Sequence, residues 1–121
     1  MIEILLVDDS HADVRLTIEA LKEAKVRNQI HVAYDGESAM EFLRRPGQRR
    51  PDLILLDISM PLLNGLDAAR QLRQRGILAK LVFVTMHSGS DYVKEAFRAG
   101  AAAYVLKHAA AAELVGAVQE V

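Results

Sequence analysis

The chain contains no cysteine, which excludes disulfides and thiolate metal sites and suits a reducing compartment. It has almost no net charge: 15 Lys and Arg stand against 16 Asp and Glu, a formal value of -1. No overall field therefore draws it toward nucleic acid or a membrane surface. Long hydrophobic runs are missing too. Met1-Ile2-Glu3-Ile4-Leu5-Leu6-Val7 is too short for a signal-peptide core or a membrane span, and Asp8-Asp9 ends it. There is no internal repeat, no low-complexity linker and no glycine-rich loop after the first apolar run. What remains is 121 residues, one domain's worth of chain and enough to bury a core. The expectation is a single cytoplasmic domain over residues 1–121, with no membrane partner.

What is present is alternation. Short apolar runs at 2–7, 29–33, 53–56, 80–84 and 102–106 read as strands. Between them lie segments with helical spacing. Val14, Ile18 and Leu21 mark a helix over 12–24, opened by a Ser10-to-Asp13 capping pattern. Ala39, Met40 and Leu43 mark one over 37–45, after an Asp35-Gly36 turn signal and before the Pro46-Gly47 break. Asn64-Gly65 opens a third, with Leu66, Ala69 and Leu72 apolar, Arg73 and Arg75 in its last turn, and Gly76 as its C-terminal cap. A fourth covers 92–99, after Ser88-Gly89-Ser90-Asp91 and before Gly100. The fifth runs from about 110 to 121 with Leu114, Ala117, Val118 and Val121 as its core stripe. Only alanines stand at its start, so its first turn is expected to fray. Arg49-Arg50 read as a solvated loop. Five strands alternating with five helices through short loops imply right-handed βαβ units and an α/β, doubly wound parallel sheet. The order 2-1-3-4-5 is common among such sheets.

Four of those strands end in polar side chains: Asp8-Asp9 after the first, Asp57 after the third, Thr85 at the fourth and Lys107 after the fifth. Each alone has an ordinary explanation as a turn or cap residue. In the 2-1-3-4-5 order all of them meet at one crevice, between the first and third strands. Three carboxylates that close repel one another unless one takes up a proton or a cation joins them. Mg²⁺ is suited to the task, preferring one or two carboxylates with waters and phosphate oxygens. A nucleophile, a cation site and anion donors are the parts that phosphoryl transfer needs.

Taken in order, Val7-Asp8-Asp9, Leu56-Asp57-Ile58-Ser59-Met60-Pro61 with Asn64-Gly65, Val84-Thr85, and Ala99-Gly100-Ala101 through Tyr104 to Lys107 resemble a response-regulator receiver domain. The likeness covers essentially the whole chain. It implies a flavodoxin-like (βα)5 sheet in the order 2-1-3-4-5. It implies that Asp57 accepts a phosphoryl group from a sensor histidine kinase, a histidine phosphotransfer protein or a small phosphodonor, with Mg²⁺ as cofactor. By the same resemblance Asp9 binds the metal directly, Asp8 largely through water, and Asp57 and the Ser59 backbone carbonyl complete the set. Lys107 and Thr85 would hold phosphoryl oxygens, and Tyr104 would change rotamer and alter the face made by helix four, strand five and helix five. That face is also the candidate surface for a homodimer. Ser59, Met86 and His87 would tune access of water to the phosphoryl group. A phosphoryl group adds about −1.5 to −2 charges, enough to bias a two-state surface. The implied activity is a switch and not an enzyme, limited to single-turnover self-phosphorylation and slow self-dephosphorylation.

Two departures stand out. His108 occupies the position after the lysine where most receivers have a proline in a cis bond. A cis bond before a non-proline residue costs about 2.5–4 kcal/mol, which favours trans and a slightly re-aimed Lys107. Met86 is bulkier than the small residue often found there, so it is expected to crowd phosphoryl access or restrain Tyr104. Of the four histidines, His11, His87 and His108 are expected in solvated loops at the active edge, without a transition-metal role. Without the resemblance, Tyr104 reads as plain packing.

Competing functions leave different marks. A phosphatase with an aspartyl intermediate typically carries a second acid two residues after its nucleophile, where this chain has Ser59. A nucleotide or flavin binder wants a glycine-rich loop where Asp8-Asp9-Ser10-His11 stands. A receiver-like interaction module that is never phosphorylated would not need the complete acceptor set. The wording around residues 58–61 and 103–108 is similar to receivers with a C-terminal helix-turn-helix domain, so DNA would be met only through an output domain absent from this chain. Residues 12–17 look more like stand-alone receivers.

Overall fold

The computed structural model describes residues 1–23, 27–47, 50–58, 64–107 and 110–119. Strands β1 (Ile2–Val7), β2 (Asn28–Ala33), β3 (Leu53–Leu56), β4 (Lys80–Thr85) and β5 (Ala101–Leu106) alternate with helices. These are α1 (His11–Lys22), α2 (Gly36–Arg44), α3 (Gly65–Gln74), α4 (Ser90–Arg98) and α5 (Ala110–Gln119). The strands form one sheet in the order β2-β1-β3-β4-β5, with every pairing parallel, as the alternation implied. In the β4–β5 pair the register shifts between Leu81 and Val82.

The element boundaries follow from capping chemistry. Ser10 Oγ accepts from the Asp13 N–H at 3.2 Å and starts α1 one residue earlier than its apolar spacing suggested. Asp35, two residues past the end of β2, is an N-cap as well as part of the turn. Its carboxylate accepts from the Ser38 N–H at 2.6 Å, which draws Gly36 into α2. Asn64 caps α3 in the same way through the Asp67 N–H at 2.9 Å. By contrast α4 has Gly89 at its N-cap with no side-chain bond, and it begins at Ser90, two residues before its apolar pattern. Gly76 and Gly100 end α3 and α4 with φ of 75° and 102°, a region that side chains with a Cβ avoid. Helix α5 is established from Ala110, and the positions before it where a cap would stand lie outside the described residues. So do Arg49, Val121 and the side chain of Val118.

All four residues of β3 are buried, as a strand covered on both faces requires. Alternation splits the core in two. Leu5, Val7, Ile54, Leu56, Leu81 and Phe83 face α2, α3 and α4, packing on Met40, Ala69, Leu72 and Ala96. Ile4, Leu6, Leu53, Leu55, Val82, Val84 and Val105 face α1 and α5, packing on Val14, Leu21 and Leu114. Each such aliphatic side chain contributes about 1.5–3 kcal/mol by leaving water. Among the described residues no helix is long and apolar enough to cross a membrane.

Candidate functional site

The parallel register fixes the site. Val7 pairs with Leu56 and Thr85 with Leu106, so the residues that follow these strands leave the sheet at one level. The Asp57 N–H donates to the Val7 carbonyl at 3.0 Å, and the Asp8 N–H to the Ala33 carbonyl at 3.1 Å. Ladder bonds thus continue one residue past β1 and β3, and both aspartates are held by backbone. Asp8, Asp57 and Thr85 are buried, whereas Asp9 is exposed. Continuing the alternation, Asp8, Asp57 and Lys107 follow Leu6, Leu55 and Val105 on the α1–α5 side. Thr85 follows Phe83 on the α4 side.

One carboxylate oxygen from each of Asp8, Asp9 and Asp57 lies within 4.8 Å of the others. Three hard oxygen donors at that spacing, two of them buried, fit a divalent cation such as Mg²⁺ or Mn²⁺. This is the one such cluster among the described residues, and no histidine belongs to it. The Lys107 ammonium stands in the same place, 2.9 Å from Asp8 Oδ2 and 3.2 Å from Asp57 Oδ2. Burial pushes the Asp8 carboxyl above its ordinary value, and the Asp57 charge adds to that push. Hydrogen bonds from Lys107 and from the Ser10 N–H act against it. Burial alone would lower the Lys107 ammonium. Its bonds to Asp13 and Asp8 and the charge of Asp57 outweigh this and hold it well above the ordinary lysine range. The site therefore keeps a charged lysine among carboxylates.

The Lys107 contact with Asp13, at 2.7 Å, was not legible as a site feature. In the sequence Asp13 served only to complete a helix start. The available signal was its place in the first turn of the helix that begins beside Asp8-Asp9. Gly65, which the sequence offers as a helix opener and as part of the resemblance, also has a packing role. A Cβ there would collide with the backbone carbonyl of Asp57, and its N–H donates to the Ile58 carbonyl at 2.9 Å. The start of α3 thus rests directly on the main chain of Asp57 and Ile58.

Thr85 and Tyr104 are joined through the loop after β4. The His87 N–H donates to Thr85 Oγ1 at 3.3 Å, and the Tyr104 hydroxyl donates to the His87 carbonyl at 2.6 Å. The Tyr104 ring is half-buried and tilted over Phe83, with a centroid distance of 6.3 Å. Burial pushes its hydroxyl pKa up, as do Tyr92 and the Asp57 charge. Met86 is 62% exposed, and the Tyr104 hydroxyl is held by the His87 backbone carbonyl. His87 stacks on Tyr92 at 4.3 Å. His11 opens α1 and stacks on Tyr34 at 4.1 Å, so neither histidine is simply a free loop side chain. Ser59, His108 and the Lys107-His108 peptide lie outside the described residues.

The family model described as "Response regulator receiver domain" matches residues 4–119. Over its whole length the chain is 35% identical to the response regulator UvrY of Escherichia coli strain K12, covering 54% of that protein. Over 74% of its length it is 36% identical to the response regulator Rcp1 of Synechocystis, covering 66% of it. The chain thus spans about half to two thirds of these relatives. The crystal structure of the Mn²⁺-bound form of Rcp1 superposes with a TM-score of 0.80 at 31% identity, covering 99% of this chain and 91% of that one. A LuxR-family response regulator from Aurantimonas sp. SI85-9A1 gives 0.83 at 35% identity, covering 99% and 84%. With the family matched from the first strand into the last helix, and the acidic edge assembled at the strand ends, the chain belongs to the response regulator receiver domains.

Proposed function

We propose that this domain is a phosphoacceptor switch, with Asp57 as the residue that carries the phosphoryl group. The observation that carries the reading is the surrounding of Asp57: a buried carboxylate in line with a central strand, 3.2 Å from a lysine ammonium and clustered with Asp8 and Asp9. A carboxylate oxygen of Asp57 attacks the phosphorus of a phosphohistidine on a sensor kinase or a histidine phosphotransfer protein. The new P–O bond forms as the P–N bond breaks, and the departing imidazole nitrogen keeps the electron pair and takes a proton from solvent. Asp8, Asp9 and Asp57, with the Ser59 carbonyl, would hold Mg²⁺, which when bound offsets charge on the phosphoryl oxygens. Lys107 supplies an ammonium to one phosphoryl oxygen and Thr85 a hydroxyl to another. Because His87 joins Thr85 to Tyr104, drawing Thr85 toward the phosphoryl group bears on the tyrosine.

The readout face is α4, β5 and α5. Tyr92 and Phe97 of α4 are 41% and 48% exposed, a surface suited to a second copy of the chain or another protein. We place the domain in the cytoplasm, beside the kinase domains that would charge it. Turnover is confined to loading and losing one phosphate, so the domain is not an enzyme in the multiple-turnover sense.

The test is incubation with acetyl phosphate and Mg²⁺, following intact mass. One phosphoryl group is expected on the parent protein, none after chelation, and none on Asp57→Asn. A parent that gains no mass would refute the reading and leave a non-phosphorylated interaction module. Continuous hydrolysis of phosphate esters would point to the phosphatase alternative.

A further inference from the structure

The shortest of the Lys107 contacts goes to a residue outside the acceptor set. Nζ lies 2.7 Å from Asp13 Oδ2, nearer than to Asp8 or Asp57. The Asp13 backbone is fixed by its N–H bond to Ser10 Oγ, the cap of α1. An acid in a first turn is ordinarily explained by the helix dipole, which needs no partner and leaves the side chain in solvent. Here the carboxylate instead reaches across to a lysine 94 positions away, beyond the last strand, and its side chain is only 34% exposed.

We propose that Asp13 is a positioning residue that holds Lys107 on the α1 side of the acidic edge in the unphosphorylated protein, and so raises the threshold for loading Asp57. The proposal rests on the phosphoacceptor reading. Two effects act in the same direction. Lys107 has to give up part of its hold on Asp13 to meet a new phosphoryl oxygen. In addition, the Asp13 and Asp57 oxygens contact one nitrogen and so lie within about 6 Å of each other. At that distance one unit charge shifts an equilibrium about threefold even with the full dielectric of water, and more at a partly buried edge. A phosphoryl group on Asp57 brings new negative charge against Asp13. Transfer of Lys107 to that group would also untie the start of α1 from the end of β5.

The experiment compares the parent with Asp13→Asn, Asp13→Ser and Asp13→Glu. Phosphorylation by acetyl phosphate at saturating Mg²⁺ is followed by intact mass, and thermal unfolding is recorded for each protein. Asn and Ser remove the charge while keeping a polar first turn, and Glu returns a carboxylate. The neutral variants are expected to load at least about threefold faster and to a higher steady-state fraction. That advantage should shrink as salt rises, and Asp13→Glu should stay near the parent. A purely structural role would move the unfolding temperature and leave the loading rates equal. Equal or slower loading in both neutral variants overturns the proposal while the phosphoacceptor reading stands. A parent that takes no phosphate removes that reading, and this proposal with it.

Discussion

Replacing Gly65 by alanine tests whether the end of β3 and α3 are in direct backbone contact. The added methyl would overlap the Asp57 carbonyl oxygen and stand 2.7 Å from its carbonyl carbon and 3.0 Å from Ile58 Cα. All three are main-chain atoms, so no rotamer change relieves the clash. Either α3 lifts off or the end of β3 shifts. Overpacking of this kind costs about 1–3 kcal/mol, and a backbone obstacle places Gly65→Ala at the upper end. Lifting α3 also stretches the Gly65-to-Ile58 hydrogen bond, worth about 0.5–1.5 kcal/mol. Against this, alanine in a helix gains about 0.5–1 kcal/mol over glycine. The net expectation is a loss of ~2 kcal/mol or more, read by urea unfolding with an unchanged m value. Gly116 in α5 is the internal control. It meets no atom within 4 Å, so Gly116→Ala should gain about 0.5–1 kcal/mol. Gly65→Ala should also load phosphate poorly, because the Asp57 main chain is what moves. A Gly65→Ala protein as stable as the parent would refute the close-contact reasoning.

Three further outcomes are expected. Asp8 has a folded-state pKa raised above 3.8, so the folded protein holds that proton more tightly than the unfolded chain, and stability falls as pH climbs through the window above 3.8. Metal-free Asp8→Asn should therefore melt above the parent at neutral pH, with the gap closing in acid. Mg²⁺ should favour the parent, by about 2.7 kcal/mol at a hundredfold excess over Kd, and equal melting at pH 7 without metal would contradict the argument. Asp35 is held below its ordinary value by hydrogen bonds from Ser38, so its cap is present above the unfolded pKa and lost as pH falls through the lowered one. Asp35→Ala should cost ~1 kcal/mol near neutrality and almost nothing in strong acid, by urea titration across pH. His87→Ala should change the lifetime of the phosphorylated form while keeping the backbone bonds to Thr85 and Tyr104. Tyr104→Phe deletes one of those bonds at a cost of about 0.5–1.5 kcal/mol, and an unaltered lifetime in His87→Ala would reject a tuning role.

The fold was legible because its signals are local. An uninterrupted aliphatic run marks β3, and strand ends carrying Asp8, Asp57, Thr85 and Lys107 can be listed without knowing any distance. Once the sheet order is granted, those residues must meet. What escaped were pairings that depend on where side chains reach. Asp13 and Lys107 meet only because α1 starts beside β1 while β5 ends across the same edge. Glu3 sits in an apolar run, yet it is buried on β1 with His31 Nε2 3.1 Å from its carboxylate, a cross-strand partner that periodicity does not reveal. Asp35 combined a turn signal with a cap, and spacing alone does not separate the two. Gly65 looked like a helix opener, because a missing methyl leaves no trace in hydrophobic pattern.

The sheet divides the interior into two layers that, among the described residues, share no buried apolar side chain. Side chains on opposite faces do not touch, so a volume change beside Leu114 cannot be compensated beside Leu72, and substitutions in the two layers should combine additively. Each layer can drift through its own repackings. The strand ends belong to both. Asp8, Asp57 and Lys107 continue one face, while Thr85 continues the other, toward Tyr104. Chemistry performed on one face of the partition is therefore felt on the other only around its rim, a passage a few residues wide.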